Sequence, residues 1–408
     1  MRIAFALPFL AAGILGLGAF ASPQTAPDPT PALATTSATP SAPSLGHAKQ
    51  PSETANVSKD SSPQVPSVTI EFKPQQTAIP GAHGSAAFVS PILCSPAGIP
   101  LVPFIEPSDF GPQTVYSLDP KGGHAFSVKS IPGLYDINSI HGYFASDSLV
   151  SILVNGTKDD KTAPNTISMG PGLPPRHIYI GEHHDYLVEF DSGGNYKEAL
   201  ELSDKYKFRR VAMLPDDTFV ALAYDQASAV PRLFRLDSGG QITGSIQIPG
   251  AMQASPELVA GQSGDVSQQV NAESSLSWWL FVPTRHRVLL YQAHTNSPVL
   301  ELGAGGAVRE VPLQSPKGYA LDEVVSANDR WIMRFRKTSL SDSGAIDANP
   351  ETKNFLLYEV DSADGTLRRE IDVKGGVFYS IACEQDGVFT AFSVDGEKVN
   401  LETADLPH

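Results

Sequence analysis

The residues that could carry chemistry are few, and they form none of the familiar catalytic motifs. The sequence contains no G-x-S-x-G, H-E-x-x-H, C-x-x-C or P-loop pattern. The one histidine cluster, His183-His184-Asp185, lies on an extended segment. Adjacent side chains of such a segment point to opposite sides, so we expect a solvated turn there and no shared metal ion. The stretch from Gly303 to Gly306 (GAGG) joins two short strands, which indicates a hairpin turn and not a nucleotide loop.

Better candidates are scattered along the chain at the starts of apolar segments. Four of them offer oxygen ligands of the kind that Ca²⁺ takes in proteins, namely Asp136, Asn138, Asp322 and Glu323. Three more occupy corresponding places and are candidates for contacting a ligand, namely Arg209, Arg210 and Trp278. An alternative stays open in which these side chains bind no ligand and only contact water and one another in the channel. The sequence predicts no catalytic residue, and it places no histidine base beside the carboxylates.

A repeat of two β-hairpins must position these residues. The first hairpin joins two apolar strands through a tight polar turn and occurs at 92–105, 142–154, 211–225, 280–294, 324–337 and 381–395. The second joins two strands through a glycine-rich turn after an acidic residue and occurs at 115–132, 186–203, 233–249, 299–313 and 357–373. Asp-Gly and Gly-Gly between alternating segments are strong hairpin signals. Two hairpins in alternation give four antiparallel strands, which form one blade of a β-propeller.

The repeat predicts an all-β fold, a six-bladed β-propeller of four-stranded antiparallel blades. The sixth copy has only Val399–Leu406 after its first hairpin, while Ser67–Phe72 precedes the first blade. We expect these N- and C-terminal strands to pair and close the ring, which removes exposed sheet edges. Insertions leave five or seven blades as alternatives. In such a ring the starts of the innermost strands line the mouth of the axial channel, where the scattered candidates would converge.

With these repeats, residues 67–408 resemble secreted bacterial six-bladed propellers of the NHL-repeat type, at the level of the fold only. In propeller lactonases and related hydrolases, carboxylates and Asn at the channel mouth bind a metal ion. The set Asp136, Asn138, Asp322 and Glu323 is loosely similar. The resemblance therefore implies a metal-dependent hydrolase or lactonase as one function, with Ca²⁺ as the expected ion.

The N-terminal residues predict export. Arg2 precedes an apolar run that ends in Ala19-Phe20-Ala21, so residues 1–21 are predicted to be a signal peptide. Residues 22–66 are rich in Pro, Ser, Thr and Ala and predict a disordered linker, which leaves 67–408 for the propeller. We expect a secreted or periplasmic protein without stable membrane insertion after cleavage. The net charge of −15 disfavours nucleic acid as a partner.

Three long insertions favour a binding function. Residues 155–177, 250–275 and 338–354 all fall on connections that emerge on one face of the predicted ring. Long loops on a rigid scaffold are typical of binding surfaces. We therefore favour a monomeric binding scaffold without a cofactor over an enzyme, and expect its partner to be a protein, a peptide or a glycan.

The sequence leaves the state of its two cysteines, Cys94 and Cys383, open. They close the innermost strands of the first and last blades, which ring closure would make neighbours. Equivalent positions on adjacent blades are usually farther apart than the ~7 Å that a disulfide allows between Cα atoms. The spacing shrinks near the axis, so a disulfide stays open, but two small buried side chains are favoured.

Overall fold

Six small antiparallel sheets follow one another along the chain and form a six-bladed β-propeller, as the repeat predicts. The computed structural model describes residues 65–75, 87–88, 92–105, 112–119, 122–137, 140–158, 165–167, 176–178, 182–225, 230–248, 279–327, 330–338, 353–374, 381–395 and 398–407. The predicted signal peptide and nearly all of the predicted linker lie outside these residues. No helix within them is long and apolar enough to cross a membrane.

Two short strands precede the first blade, and blades 1 to 3 follow in chain order. The leading strands are β1 (Ser67–Ile70) and β2 (Lys73–Gln75). Blade 1 contains β3 (Ala87–Phe88), β4 (Leu93–Cys94), β5 (Pro100–Ile105), β6 (Thr114–Ser117) and β7 (Ala125–Ser127). Blade 2 contains β8 (Ile140–Ala145), β9 (Leu149–Gly156), β12 (His184–Asp191) and β13 (Tyr196–Glu201), with a separate hairpin of β10 (Asn165–Ile167) and β11 (Arg176–Ile178). Blade 3 contains β14 (Tyr206–Met213), β15 (Phe219–Asp225), β16 (Pro231–Leu236) and β17 (Ile242–Ile246).

Blades 4 to 6 complete the ring. Blade 4 contains β18 (Trp279–Pro283), β19 (Val288–Gln292), β20 (Val299–Leu302) and β21 (Val308–Val311), with a short 3-10 turn at Ala304–Gly306. Blade 5 contains β22 (Tyr319–Ala327), β23 (Trp331–Lys337), β24 (Phe355–Val360) and β25 (Leu367–Val373). Blade 6 contains β26 (Ile381–Gln385), β27 (Val388–Asp395) and β28 (Lys398–Asp405).

The glycine-rich turns work as the sequence pattern predicts. In blade 2 the Asp191 carboxylate accepts hydrogen bonds from backbone N–H groups inside its turn, and Gly194 has a φ of 87°. In blade 3 Asp237 and Gly240, with a φ of 79°, repeat this arrangement. The carboxylate satisfies the turn's backbone donors while glycine takes the left-handed conformation at little steric cost. The turn sequence therefore fixes where each outer hairpin reverses.

The hydrophobic core lies between blades. Every pair of neighbouring blades shares a cluster of buried apolar side chains, and a single large cluster spans blades 2, 3 and 4. The strand Phe219–Asp225 is buried along nearly its whole length, because neighbouring blades cover both of its faces. Trp279, the first residue of β18, packs in the cluster shared with blade 3. The first strands contact one another around the axis from blade 2 through to blade 6, and β26 of blade 6 contacts β4 of blade 1.

The N-terminal strands close the ring, but with different partners from those we predicted. Ser67–Ile70 pairs in parallel with β25 of blade 5, and Lys73–Gln75, which follows after two intervening residues, pairs with β28 as the outer strand of blade 6. Closure between the two termini is confirmed, whereas pairing of Ser67–Ile70 with the last strand was wrong. The reason is burial, because Ile70 fills the apolar seam between blades 5 and 6, with Val68 packed against it.

A disulfide joins the first and last blades. Cys94 in β4 and Cys383 in β26 are bonded, with a Cα–Cα distance of 5.7 Å. The prediction of two reduced cysteines, which the sequence analysis favoured, is therefore wrong. Near the axis the first strands converge enough to bring equivalent positions of adjacent blades within the range of the bond. The ring is thus closed covalently at its centre and by strand pairing at its edge.

Candidate functional site

The first strands of four blades contain a β-bulge at a similar level. At the bulge, one residue of the first strand has no partner in the pairing with the second strand. The skipped residues are His141 in blade 2, Arg209 in blade 3, Asp322 in blade 5 and Ala382 in blade 6. A bulge redirects side chains from the regular alternation of a strand. It allows consecutive polar residues of one strand to reach the same side.

Blades 2 and 3 contribute the cationic side of the site. The Arg209 guanidinium lies 3.1 Å from Nδ1 of His141 and packs over the ring of Tyr224. Arg210 donates to the backbone carbonyls of His141 and Arg209 at 2.7 and 2.9 Å. Burial, reinforced by Arg209, lowers the pKa of His141 to about 4. His141 is therefore neutral near neutral pH, and its Nδ1 can accept the hydrogen bond from Arg209.

Blade 5 contributes the carboxylates. Arg334 of β23 binds both of them, with Nε 2.7 Å from Asp322 and Nη2 2.8 Å from Glu323. Burial alone would raise the pKa of Asp322, but hydrogen bonds from His294 and Arg334 outweigh it and lower that pKa. The same burial raises the pKa of Glu323 to about 7 despite Arg334, and the Asp322 charge adds to this effect. Two adjacent carboxyl groups thus differ sharply in acidity.

His294 of blade 4 completes this side. Its Nε2 lies 3.0 Å from Oδ1 of Asp322, and Arg336 lies 3.4 Å from the same nitrogen. His294 has a φ of 62°, a conformation that non-glycine residues rarely adopt. Such outliers persist where the surrounding structure holds them, often at functional sites.

Two buried tyrosines lie close to both sides of the site. Burial raises the pKa of Tyr143. The Glu323 charge adds to this increase, and Arg210 opposes it. Burial and the Glu323 charge likewise raise the pKa of Tyr291. Burial lowers the pKa of Arg210 to about 10, an effect that Arg209 reinforces and that Tyr143 and Tyr291 oppose. The side chains of Arg210 and Glu323 therefore interact with the same two hydroxyl groups. We call His141, Arg209, Arg210, Asp322 and Glu323 the axial site.

The side chains of the axial site keep partial contact with solvent. The Glu323 side chain keeps 20% of its surface accessible, although it is densely surrounded by protein. His141, Arg209, Arg210 and Asp322 are likewise only partly buried. Charged groups that keep contact with water can exchange that water for a ligand.

The remaining predicted residues have other places or lie outside the described residues. Asp136, with a φ of 50°, binds Nε2 of His183 at 3.0 Å within blade 2. Asp185 is buried and accepts from the backbone N–H of Phe208, so the solvated turn predicted for His183-His184-Asp185 is wrong. Asn138 and Trp278 lie outside the described residues. No three His, Cys, Asp or Glu side chains within those residues gather as a metal site requires.

Sequence reasoning missed His141, His294 and Arg334. His141 and Arg209 each stand four residues before the last paired residue of their strands, Ala145 and Met213. Aligning the repeats at their turns would therefore have identified His141. His294 and Arg334 lie on second strands or just beyond them, and only the bulge in β22 brings Asp322 to both.

The strands that flank the three insertions place these connections on one side of the ring. The connections follow β9, β17 and β23 and therefore run between second and third strands or between blades. Residues 250–275 and most of 155–177 and 338–354 lie outside the described residues. The first strands begin on this side, which we call the insertion face. The opposite side carries the turns between first and second strands and between third and fourth strands, and we call it the turn face.

Comparisons with known proteins show no family. No family model matches the chain, and no curated protein matches it in sequence. Among solved structures it is similar to an oligogalacturonate lyase in complex with manganese, with 11% identity, a TM-score of 0.37, and 85% of this chain and 99% of that chain covered. It is also similar to a protein of unknown function from Bacteroides caccae (11% identity, TM-score 0.36, 70% and 82% covered) and to the Dos1 propeller (10%, 0.35, 78% and 78%). Likenesses this distant carry no argument about activity.

Proposed function

We propose that the protein is an exported binding propeller whose ligand enters the axial channel from the insertion face. The observation that carries this proposal is the axial site itself. Polar side chains from the first strands of blades 2, 3 and 5, charged in blades 3 and 5, remain partly accessible to solvent. Even well-made pairs, such as those of Arg334 with Asp322 and Glu323, add little net stability, because the cost of desolvation offsets their attraction, so a purely structural channel gains little from them.

The charges favour a ligand that carries both donors and acceptors. Arg209 and Arg210 offer donors on one side, and Asp322 and Glu323 offer acceptors on the other. A peptide or a glycan presents both kinds of group. The insertions would add contacts around the channel mouth, in keeping with the way loops on rigid scaffolds form binding surfaces.

Peptide and glycan arrays probed with the full-length mature protein test this proposal. The variant Glu323→Gln removes an axial charge, and Glu310→Gln removes an exposed charge from the outer strand of blade 4 as a matched control. We expect bound spots to be kept by the control and weakened about tenfold or more by the axial variant, as for a lost charge-assisted hydrogen bond. Binding that survives Glu323→Gln, or no bound spot in either array, contradicts the proposal.

An acid–base enzyme at the same site is the second candidate. A carboxyl group with a pKa of about 7 can both take up and release a proton near neutral pH, and the His294–Asp322 couple lies beside it. The metal-dependent hydrolase or lactonase belongs here as well, with Asp322 and Glu323 as ligands. Elemental analysis of the purified protein and assays with lactone substrates distinguish the cases. Stoichiometric Ca²⁺ that is lost in Asp322→Asn would favour the metal enzyme.

Export has its own test. The predicted cleavage after Ala21 makes Ser22 the first residue of the mature protein. N-terminal sequencing of protein recovered outside the cytoplasm should begin at Ser22, whereas a retained Met1 contradicts cleavage.

A further inference from the structure

The outer strand of blade 3 has an unprotected edge. Strand β17 (Ile242–Ile246) is the last strand of its blade, and within the described residues it pairs only with β16. Its middle residues, Thr243, Gly244 and Ser245, are exposed. The stretch from Gln241 to Ile248 (QITGSIQI) contains no charged residue and no proline. The unpaired N–H and C=O groups along such an edge can pair with another extended chain.

The other outer strands are protected in ways that proteins commonly use against edge pairing. Strand β13 carries Lys197, Glu198 and Glu201, and β21 carries Arg309 and Glu310. Strands β7 and β2 are only three residues long, and β2 contains a proline. The outer edge of β25 is covered by β1. Among the described outer strands of more than three residues, only β17 therefore lacks charge, proline and a covering strand.

Blade 5 shows that an edge of this kind accepts a further strand. In β25 the second residue, Arg368, has no partner in the pairing with β24, and in β17 the second residue, Thr243, has no partner in the pairing with β16. Despite this bulge, β1 pairs with β25 at residues 370–373. A bulge at the start of the outer strand therefore does not prevent an outer neighbour.

The sequence around Gly244 reads nearly the same in both directions. Three pairs of identical or similar residues stand at equal distances from it, namely Thr243 and Ser245, Ile242 and Ile246, and Gln241 and Gln247. Two copies of this strand in antiparallel orientation would therefore place similar side chains opposite one another. Apolar pairs and Thr–Ser pairs across strands are favourable, and no like charges meet. A strand that complements itself in this way suits an interface with two-fold symmetry.

We propose that the protein forms a homodimer through antiparallel pairing of β17 with β17 of a second copy, about a two-fold axis at Gly244. Ile242 and Ile246 are only partly buried at the margin of the core, and the same residues of the second copy would cover them. Seven paired residues span about 24 Å. Such an edge is smaller than the ~1,200–2,000 Å² interfaces of stable complexes, so we expect a weak dimer with a dissociation constant on the order of micromolar. The interface is independent of the axial site and of its ligand.

Sedimentation velocity of the full-length mature protein tests the proposal. The protein is run from about 1 to 100 μM at physiological ionic strength, which screens the repulsion between two acidic chains. The weight-average mass should rise with concentration toward that of two chains. A mass of one chain throughout this range overturns the proposal and leaves the monomer that the sequence favours.

Charged substitutions at Gly244 test the position of the two-fold axis. An added Cβ at Gly244 meets no atom, and its φ lies outside the left-handed range, so a side chain there should leave the fold intact. Gly244→Lys and Gly244→Glu each place two like charges opposite one another, and each should weaken the dimer about fivefold. A mixture of the two variants places opposite charges there and should dimerise about tenfold more tightly than either variant alone.

Matched controls separate this register from a general effect of charge. Ala125→Lys and Ala125→Glu add the same charges at an exposed position of β7, the outer strand of blade 1, and should leave the dimer unchanged. A dimer that persists fully in Gly244→Lys overturns the proposal, because another surface must then form it. Mixed Gly244 variants that associate no better than either variant alone, or equal weakening by the Ala125 controls, contradict the pairing about Gly244.

Discussion

Breaking the Cys94–Cys383 disulfide should destabilise the propeller more than any single surface change. The bond links residues 289 positions apart, so its loss frees almost the whole folded chain in the unfolded state. The chain-entropy model gives about 6 kcal/mol at 25 °C for a loop of this length, whereas removal of native disulfides typically costs ~2–5 kcal/mol. We expect a loss of roughly 3–5 kcal/mol, since the unfolded chain keeps residual structure.

Guanidinium denaturation of three samples measures this loss. These are the oxidised protein, the same protein under reductant, and the variant Cys94→Ala/Cys383→Ala. The reduced protein keeps both sulfur atoms, so its lower midpoint reports the cross-link alone, with no cavity contribution. The double variant should fall at least as far, because Cys383 is almost fully buried and its truncation leaves a small void.

Two outcomes would refute the reasoning. If thiol titration of the unfolded, unreduced protein finds two free thiols, the bond does not form. If the bond forms but reduction changes the unfolding free energy by less than about 1 kcal/mol, the cross-link does not limit the unfolded chain as the entropy model assumes. In that case the pairing of Lys73–Gln75 with β28 would carry the closure of the ring alone.

Three further predictions concern pH and the turns. The pKa of Glu323 is raised to about 7 in the folded protein, so Glu323 contributes stability that is present below its ordinary pKa and lost as pH rises through 7. This loss is worth at most about 1.4 kcal/mol per pH unit. Unfolding curves of Glu323→Gln should lack it, whereas those of the control Glu310→Gln should keep it. His141, whose pKa is lowered to about 4, contributes stability that is present above its ordinary pKa and lost as pH falls through 4, so His141→Gln should flatten the acid limb and the exposed control His124→Gln should not. Gly365→Ala should lower the free energy of unfolding by well over 1 kcal/mol, because the added Cβ would clash with the carbonyl oxygen of Pro312. In the control Gly318→Ala the added Cβ meets no atom, so only the positive φ should destabilise the protein. Equal melting temperatures of the two variants would contradict the steric argument.

The fold was predictable because its information is local and repeated. Turn residues such as Asp191 and Gly194 mark each outer hairpin, and buried strands such as Phe219–Asp225 show continuous apolar runs. Each signal is weak by itself, but six copies in the same order define the ring. The count of strands even indicated that the termini must meet. Which N-terminal residues pair with which blade depended on the burial of Ile70 in one particular seam, and no local pattern records that.

The site was only half predictable. Arg209, Arg210, Asp322 and Glu323 were identified because they stand at the starts of predicted innermost strands, which line the mouth of the axial channel. Their partners were not, because Arg334 and the other binding residues come from different strands or different blades. The disulfide was missed for a related reason, since the usual distance between equivalent positions on adjacent blades does not hold at the centre of the ring.

The bulges explain why side-chain alternation was a poor guide to this centre. In a regular strand Asp322 and Glu323 would point to opposite faces, and only one of them could reach Arg334. The skipped pairing in β22 brings both within 2.8 Å of that guanidinium. One shared cation then keeps Asp322 ionised while Glu323, the more crowded partner, titrates near neutral pH. The same irregularity in blades 2 and 3 sets His141 against Arg209. The repeated bulge, more than any one residue, therefore turns a structural ring into one with a charged and accessible centre.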